Sequence, residues 1–327
     1  MPEQLKKTME KQGYHFVGRH SAVKICEYTA NALRGKTLCY KNTFYGIKSW
    51  QCMQSTTAIG CNLACRFCWR TIPDEHDFKW NELNAISEWD DPEYIIDNMI
   101  KEQRRIVSGF KSNADTELKM KRWKEANEPK HATLSLTGEP LFYPKMSALI
   151  KSFHKRGMST FVVHNGTLPE ALQKLDPLPT QLYISLQAPD EETYNIVTRP
   201  KIKNAWQRFL KSLEILRTLK TRTVLRMTLV KGLNMKNPEG YADLIKIAMP
   251  NYVEVKGFSF VGGAREEQRG LSLDSMPSHA EIKEFAAVLE KLSGYRYTAE
   301  HAVSRIVLLS RDEESEKNRI IDFSKIH

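Results

Sequence analysis

The chain has 327 residues, of which 41% are hydrophobic and 27% charged, so it has room for one large core or two ordinary ones. No apolar run approaches the roughly 18 residues of a membrane span, and residues 1–7 lack the apolar stretch of a secretory signal. We therefore expect a cytoplasmic protein with no membrane partner. The 49 lysines and arginines outnumber the 39 aspartates and glutamates, and the net charge of +10 favours a polyanionic partner.

Six cysteines, all within the first 68 residues, are the most unusual feature of the composition. In a reducing compartment such a cluster predicts metal binding or catalysis rather than disulfides. Cys26, Cys39 and Cys52 stand thirteen residues apart each time. This spacing is too wide for a local metal-binding motif.

The other three cysteines form the motif Cys61-x3-Cys65-x2-Cys68. One short loop can then offer three thiolates to an iron–sulfur cube, and the fourth iron is left open for another ligand. The alternative is a structural zinc site with His76 as the fourth ligand, because zinc accepts Cys3His sets with gaps of this size. The spacing favours the iron–sulfur cluster without excluding zinc.

Residues 70–130 are less regular than the rest. They begin with charged and aromatic residues, continue through a helix predicted over 91–107, and end in a polar, lysine-rich stretch. We interpret this segment as an insertion that shapes a substrate entrance.

From residue 132 onward, short β-branched or apolar runs alternate with helical patterns, which predicts an α/β fold with a mainly parallel sheet. Strands are predicted over 132–136, 160–164, 182–186, 223–230 and 252–260. Helices are predicted over 145–156, 169–175, 205–219 and 238–248. The third helix carries an apolar stripe with a period of about 3.6 residues, as expected for a helix that packs on a sheet.

Several of these strands end in turns that contain glycine, proline or polar residues, at 137–140, 165–167, 187–190 and 231–234. Barrels of parallel strands bind ligands in the loops at the carboxyl ends of the strands, so the turns together predict a site there. Each turn by itself is better explained as a tight connection between a strand and a helix.

The positive charge is concentrated in the segments 119–124, 151–156 and 199–211, where cationic residues alternate with aromatic or apolar ones. This composition suits phosphate contact and base stacking, with Trp80, Trp123 and Trp206 as candidate stacking residues. The alternative is that each segment is the solvated face of a helix. The charged residues 311–319 predict a surface helix or a frayed end.

The three-cysteine motif, the following Trp69 and the later turn Gly138-Glu139-Pro140 together resemble the radical S-adenosylmethionine (SAM) superfamily. The resemblance implies a partial (βα)6 TIM-like barrel with the cysteine loop after its first strand. It also implies that the open iron of a [4Fe–4S] cluster binds the amino and carboxylate groups of SAM, and that an electron from the cluster yields a 5′-deoxyadenosyl radical. Gly138 and Glu139 match the turn that receives the methionine amino group, with Glu139 and nearby backbone as acceptors.

Four further cofactor-binding residues follow from the same resemblance. Ser185 and Gln187 match positions that contact the ribose or the carboxylate of SAM, and Asn165 and Arg226 are additional candidates for this pocket. The alternatives for the last two are a turn-capping asparagine and an interior arginine paired to a carboxylate.

The flanks of the motif narrow the resemblance to the archaeal-type 4-demethylwyosine synthases of the tRNA wybutosine and wyosine pathway. Matching segments lie at 39–41, 44–47 and 52 before the motif, at 65–70 where the motif ends, and at 134–140 after it. The resemblance implies a radical SAM carbon–carbon lyase that joins pyruvate carbons to N1-methylguanosine-37 in the anticodon stem-loop of tRNA(Phe), building a third ring. It further implies that Cys26, Cys39 and Cys52 hold a second [4Fe–4S] cluster.

Pyruvate could also be held covalently, since a deprotonated lysine amine condenses with a ketone to form a Schiff base. The family match favours Lys41, two residues after Cys39, with Lys48 as the alternative. Eukaryotic members of the family carry a flavodoxin-like electron-donating domain ahead of this core. Here 60 residues precede Cys61, so we expect a separate electron donor, and we also expect a monomer.

The predicted organisation has three parts. An N-terminal extension with the second-cluster cysteines covers 1–55, a radical SAM barrel with the insertion at about 70–130 covers 56–265, and a C-terminal α/β extension covers 266–327. Two other functions stay open at this point: a different radical SAM enzyme that acts on RNA or a peptide, and a non-catalytic, zinc-stabilised RNA-binding protein.

Overall fold

A ten-stranded sheet organises the molecule. The computed structural model describes residues 3–76 and 78–326 of the chain. Its strands are β1 His15–Val17, β2 Ser21–Val23, β3 Cys52–Thr56, β4 His131–Leu134, β5 Ser159–His164, β6 Gln181–Leu186, β7 Arg222–Leu229, β8 Tyr252–Gly257, β9 Arg296–His301 and β10 Ile306–Ser310. They follow one another across the sheet in chain order, except that β10 lies between β8 and β9.

The six neighbouring strands β3 to β8 run parallel. β2 and β1 extend the β3 edge with antiparallel pairing, and β10 and β9 extend the β8 edge in the same way. Among the described residues the two edges of the sheet do not pair with each other. The fold is an open, six-stranded parallel barrel, which confirms the predicted fold class.

Helices connect most of the parallel strands and surround the barrel. They are α1 Glu3–Lys11, α2 Glu27–Leu33, α3 Tyr40–Tyr45, α4 Trp80–Asn84, α5 Pro92–Ser108, α6 Glu117–Ala126, α7 Met146–Lys155, α8 Pro169–Gln173, α9 Glu191–Thr198, α10 Ala205–Thr218, α11 Pro238–Ala248, α12 His279–Ser293 and α13 Glu313–Lys317. The helices predicted in the barrel and at 91–107 are confirmed to within two residues at each end. The charged tail forms α13, the predicted surface helix.

The two faces of the sheet form separate cores, because residues two apart on a strand share a face. The inner face buries Phe161, Tyr183 and Tyr252 against aromatic residues of α3. The outer face packs against the helices, and the apolar stripe of α10, including Phe209 and Leu213, is buried there as predicted.

The terminal segments join the same sheet as the barrel. β1 and β2 come from the predicted N-terminal extension, β9 and β10 from the C-terminal one, and β3 extends across the predicted boundary at residue 55. The segment 70–130 contains α4, α5 and α6, and α5 packs against α7, β1 and β2. The division into three parts stays a prediction.

No helix in the described parts of the chain is both long and apolar enough to span a membrane.

Candidate active site

A cavity of about 690 Å³ lies at the carboxyl ends of the parallel strands. This volume is typical of small-molecule sites, which occupy roughly 300 to 1,000 Å³. All six parallel strands or the turns after them contribute to its wall, through Gln54, Ser135, Val163, Ser185, Thr228 and Lys256. All three motif cysteines border the cavity, and Cys26 of the upstream set borders it as well.

Three of the four predicted turns contribute to this cavity, through residues that include Thr137, Asn165 and Gln187. The turn at 231–234 does not line the cavity and instead holds two strands together. Its Asn234 is fully buried and donates hydrogen bonds to the carbonyls of Gln187 at 2.7 Å and Thr228 at 2.9 Å. Asn234 thereby ties together the ends of β6 and β7.

The loop with the three-cysteine motif follows β3 and is held against the end of α9. The N–H groups of Ala64 and Arg66 donate to the carbonyls of Thr198 and Val197, both at 2.9 Å. Leu63 also forms an isolated antiparallel bridge with Pro200. These backbone bonds fix the direction of the loop between its cysteines.

Two arginines hold the same loop: Arg199, from the basic segment 199–211, and Arg269, which the sequence analysis missed. Arg199 donates to the carbonyl of Ala64 at 2.7 Å and to Glu75 Oε1 at 2.7 Å. The buried Arg269 donates to the carbonyl of Cys68 and pairs with Glu75 Oε2 at 2.6 Å. Burial alone would raise the pKa of Glu75, but the hydrogen bonds from Arg269 and Arg199 hold it below its ordinary value. Arg269 lies about 200 residues from the motif, so no local pattern indicates this contact.

The motif thiols lie close enough to influence one another. Burial raises the pKa of Cys61 to about 12 and that of Cys65 well above its ordinary value, and charges on Cys68 and Cys61 raise the Cys65 pKa further. Binding to iron would stabilise these thiolates, because a metal ligand thiol is deprotonated by the cation.

A cube would place each thiolate on a different iron. The sulfur atoms then need not converge on one point, and within residues 3–76 and 78–326 no three His, Cys, Asp or Glu side chains form a group suited to a single ion. His76, the fourth ligand of the zinc alternative, is exposed.

Gly138 lets the turn after β4 pass directly against the start of the cysteine loop. Its φ is +68°, and a Cβ at this position would lie 1.8 Å from the carbonyl oxygen of Ala58. Both observations require glycine. The next residue, Glu139, donates its N–H to the carbonyl of Gly60 at 3.0 Å, so the turn and the loop form one unit.

The Glu139 carboxylate is buried at the cavity wall and is engaged by the backbone. It accepts hydrogen bonds from the N–H groups of Leu141 at 3.0 Å and Asn165 at 2.8 Å. Burial raises the pKa of Glu139 to about 8, although these two hydrogen bonds act to lower it. The contact of Glu139 with the methionine amino group stays a prediction. In the structure, Glu139 also joins the turn after β4 to the turn after β5, through its hydrogen bond with Asn165.

Asn165, Ser185 and Gln187 line the same cavity. Asn165 Nδ2 lies 3.6 Å from Cys61 Sγ, while its Oδ1 accepts from the N–H of Thr167, so the turn-capping alternative is also observed. Gln187 Oε1 is buried without a hydrogen-bond partner in the described part of the chain. A buried acceptor of this kind is destabilising unless a ligand donates to it, which fits a hydroxyl or amino group of bound SAM.

Arg226 borders the cavity, but other side chains already engage its guanidinium. Its Nε donates to Glu254 Oε2 at 2.8 Å, and its Nη2 donates to the hydroxyl of Tyr40. The guanidinium also lies 5.1 Å from the centre of the Tyr183 ring. This is the paired interior arginine of the alternative interpretation, and its contact with SAM stays a prediction.

The fold brings the widely spaced upstream cysteines together. Cys26 and Cys39 immediately precede α2 and α3, and Cys52 begins β3. Burial raises the pKa of Cys26 to about 11 and that of Cys39 to about 12, and charges on other cysteines of the set raise both further. These three residues come close only because α2 and the residue before α3 both bond to Ser49, in the turn just before β3, which the sequence spacing does not reveal.

Lys41 is buried inside the barrel beside this upstream set. Its Nζ lies 4.8 Å from the centre of the Tyr183 ring and 5.4 Å from that of Phe161. Against the larger effect of burial, its charge lowers the pKa of all three upstream thiols. Lys48 differs, because its side chain is 51% exposed and its Nζ lies 3.7 Å from Glu125 Oε2.

β8 contributes two charged residues that the sequence analysis missed. Glu254 is fully buried, and Lys256 lines the cavity. Both lie on the inner face with Tyr252, since the three residues are two apart. The signal that could have revealed them is this alternation of polar residues in a strand whose other positions are apolar.

Residues 56–245 match the family model of the radical SAM superfamily, and residues 247–311 match that of wyosine base formation. The open parallel barrel and the cysteine loop at its cavity, together with the first match, define a radical SAM enzyme. S-adenosyl-L-methionine-dependent tRNA 4-demethylwyosine synthases from Pyrococcus abyssi and Pyrococcus horikoshii are 48% and 46% identical over 318 residues, which are 96% of this chain and 90% of each relative. The chain belongs to the family of these synthases.

Solved structures agree with this membership. A structure of TYW1 with a lysine–pyruvate adduct bound has a TM-score of 0.83 and 35% identity, and a crystal structure of archaeal TYW1 has a TM-score of 0.75 and 33% identity, each over 99% of both chains. The yeast synthase is 37% identical over 98% of this chain, which covers 40% of that relative. These matches confirm the predicted family and enzyme class, and they do not support the non-catalytic zinc alternative. Membership of the radical SAM superfamily implies SAM and a [4Fe–4S] cluster as cofactors.

Proposed function

We propose that this protein builds 4-demethylwyosine in tRNA(Phe) from N1-methylguanosine beside the anticodon and carbons of pyruvate. One observation carries the proposal: a single cavity borders both the three-cysteine loop and Cys26 of the upstream set, beside which Lys41 is buried. With these assignments, the radical source and the 2-oxo acid would occupy neighbouring parts of the molecule. The names of the similar synthases, and the TYW1 structure with a lysine–pyruvate adduct, support it.

On one side of the cavity, Cys61, Cys65 and Cys68 would hold the [4Fe–4S] cluster. With SAM bound, this cluster would supply the 5′-deoxyadenosyl radical chemistry of the superfamily. Gly138 keeps the adjoining turn free of a side chain, and Gln187 Oε1 offers an acceptor to the cofactor. The chain's own contribution here is to fix the loop through its backbone bonds and through Arg199 and Arg269.

On the other side, we assign Lys41 as the residue that condenses with pyruvate. Its uncharged amine attacks C2 of the ketone, a C–N bond forms, and the carbonyl oxygen leaves as water to give a Schiff base. The rings of Phe161 and Tyr183 pack over the amine and shield it from solvent. Lys48 is the weaker candidate, because it is exposed and lies close to a carboxylate.

A second [4Fe–4S] cluster on Cys26, Cys39 and Cys52 is part of the proposal. It is supported by the proximity of the three thiols, because Cys52 raises the pKa of Cys26, and Cys26 and Cys52 both raise that of Cys39. Anaerobically reconstituted protein is expected to hold about eight irons per chain, at about four per cluster. Replacing all three residues by alanine should leave about four irons and normal SAM binding, whereas the same change at Cys61, Cys65 and Cys68 should abolish SAM binding. Undiminished iron in the first variant would exclude the second cluster.

The proposal also includes an RNA partner, a separate electron donor, a monomeric state and a cytoplasmic location. The net charge of +10 supports the first of these. Turnover of the purified protein with NADPH alone as reductant would contradict the need for a separate donor.

The test of the proposed function is mass spectrometry of N1-methylguanosine-containing tRNA(Phe) after incubation with the protein, SAM, dithionite and pyruvate. We expect the mass of the tricyclic base only when pyruvate is present. Lys41→Ala and Lys41→Arg should abolish the product while iron content stays normal, because neither side chain forms the Schiff base. Lys48→Ala is the matched control and should retain activity.

A product that forms at a normal rate in the Lys41 variants would remove the assignment of Lys41. The absence of any new base with the unaltered protein would overturn the proposed function.

A further inference from the structure

Lys256 is a cation on the inner face of the barrel. It lines the cavity at the end of β8, and its Nζ donates to the carbonyl of Gly257 at 3.1 Å. In the described part of the chain no carboxylate forms an ion pair with it. A shielded ammonium without a counter-charge is costly, so an anion in the cavity would stabilise it.

The nearest acidic residue is already committed to other groups. Glu254 accepts hydrogen bonds from Arg226 at 2.8 Å, from Tyr45 at 2.9 Å and from Tyr40 at 3.2 Å, and it is fully buried. Its single negative charge therefore faces Arg226 as well as Lys256. The inner wall at β7 and β8 keeps an excess of positive charge.

The other charges around Lys256 also favour an anion beside it. Burial lowers the pKa of Lys256 to about 8, and the charges of Arg226 and Arg305 lower it further, whereas Glu254 and Cys39 act in the opposite direction. A carboxylate placed at Nζ would favour the ammonium form and offset this positive potential.

The position of Lys256 indicates which anion fits. Cys39, in the upstream set, is among the groups that raise the pKa of Lys256, and Lys41 lowers the pKa of the same thiol, so both lysines lie within electrostatic range of Cys39. The Tyr183 ring also links the two regions, because the side chains of Lys41 and Arg226 both lie over it, at 4.8 and 5.1 Å. Lys41 is not itself a lining residue of the cavity, but it shares the Tyr183 ring with Arg226, which lines the cavity together with Lys256.

We propose that Lys256 binds the carboxylate of the 2-oxo acid whose ketone condenses with Lys41. This inference rests on the proposed function, and it identifies a specificity-determining residue for the second substrate. A 2-oxo acid carries its carboxylate directly next to the ketone, so one lysine forms the covalent bond and the other the ion pair. Ketones without an adjacent carboxylate are then discriminated against, because they leave Lys256 unpaired.

The test is reductive trapping. Protein with reconstituted clusters is incubated with pyruvate and cyanoborohydride, which reduces the Schiff base to a stable amine. Intact-mass spectrometry then measures the fraction of protein whose mass has increased by that of pyruvic acid plus two hydrogens minus one water. Lys256→Met should raise the pyruvate concentration for half-maximal trapping about ten- to a hundredfold, the typical effect of losing a hydrogen bond to a charged group. Lys256→Arg, which keeps the charge, should show a smaller rise. Lys246→Met, which removes an exposed lysine of α11, should behave as the unaltered protein.

Methyl pyruvate provides the second arm, because it keeps the ketone but lacks the carboxylate. The unaltered protein should trap it less readily than pyruvate, and Lys256→Met should trap the ester and the acid at similar concentrations. Equal pyruvate dependence in the unaltered and Lys256→Met proteins would overturn the inference. Normal trapping combined with weakened SAM binding would also overturn it, since the anion would then be the carboxylate of SAM.

Calorimetric titration of pyruvate into Lys41→Ala protein, with and without Lys256→Met, separates this inference from the proposed function. Loss of affinity on Lys256→Met in this background supports the ion pair without any covalent step. If the unaltered protein forms no adduct at all, the Schiff base of the proposed function fails, and the calorimetry still decides the inference.

Discussion

Two influences on the Glu139 carboxyl favour different charge states. The N–H groups of Leu141 and Asn165 donate to its carboxylate and favour the ionised form, whereas burial favours the neutral form and raises its pKa to about 8. In SAM-free protein at neutral pH the neutral form therefore predominates. An ammonium group bound nearby would favour the carboxylate, so binding of SAM and ionisation of Glu139 are expected to be coupled.

The free energy of unfolding of SAM-free protein is expected to show this ionisation. A carboxyl whose pKa rises from 4.5 to about 8 on folding binds its proton more tightly in the folded state, so its contribution is full below pH 4.5 and is lost as the pH rises through 8. Denaturant unfolding between these limits should show a decrease of up to about 1.4 kcal/mol per pH unit from this group.

Glu139→Gln should remove this part of the pH dependence, and Glu284→Gln, at an exposed position of α12, should preserve it. The same pH dependence in the Glu139 variant and the unaltered protein would contradict the prediction.

Single residues differ in how far the sequence reveals them. Cys61, Cys65 and Cys68 share one loop, so their meeting follows from spacing alone. Cys26 and Cys39 meet only after α2 and α3 pack into the fold, and their grouping could be expected only from the family resemblance. Arg269 carries no local signal of this kind, because its partners Cys68 and Glu75 lie about 200 residues earlier in the chain.

At the scale of elements, β4 to β8 and their helices follow closely from hydrophobic pattern, because strands covered on both faces read as short apolar runs. β3, with the sequence Cys-Met-Gln-Ser-Thr, is not such a run, and only the family resemblance implied a strand before the cysteine loop. The strand predicted over 252–260 ends earlier, at Gly257. Its apolar continuation leaves the sheet, and Phe258 packs in a separate cluster with Val230 and Ala264. Hydrophobicity predicts the burial of this segment but not where its strand pairing stops.

Edge elements are less predictable for a physical reason. β1 and β2 have three residues each, which is too short for an alternating pattern to stand out. β9 and β10 form a hairpin on the β8 edge, outside the βα repeat that indicates the barrel.

The three tryptophans that are candidates for base stacking take part in internal packing. Trp206 lies 5.3 Å from the ring of Tyr194, and Trp80 stacks on Phe142 at 5.4 Å. Trp123 donates its indole N–H to the carbonyl of Val107 at 3.0 Å. Base stacking by these tryptophans stays a prediction, and their packing supports the interpretation that the basic segments are helix faces.

At the scale of the whole molecule, the fold places two of the basic segments at different distances from the cavity. Lys201 and Lys203 follow the bridge between Leu63 and Pro200, next to the cysteine loop. Lys151 and Lys155 lie on the part of α7 that leads to the start of β5, at the opposite end of the barrel. Composition alone does not distinguish these two lysine pairs, whereas the fold assigns only the first to the cavity side.

The two pairs are therefore expected to differ in their effect on tRNA binding. Replacing Lys201 and Lys203 by glutamine should weaken binding and reduce the slope of log affinity against log salt by about 0.7 to 0.9 for each phosphate that is no longer neutralised. The change of Lys151 and Lys155 to glutamine alters the net charge by the same amount at exposed positions, and it should leave the slope nearly unchanged. Fluorescence anisotropy of labelled tRNA at several salt concentrations measures both. Equal slopes in the two variants would contradict this assignment of the RNA surface, because salt screens exposed charges beyond about 10 Å at 0.1 M, so lysines at the far end of the barrel should contribute little to the slope.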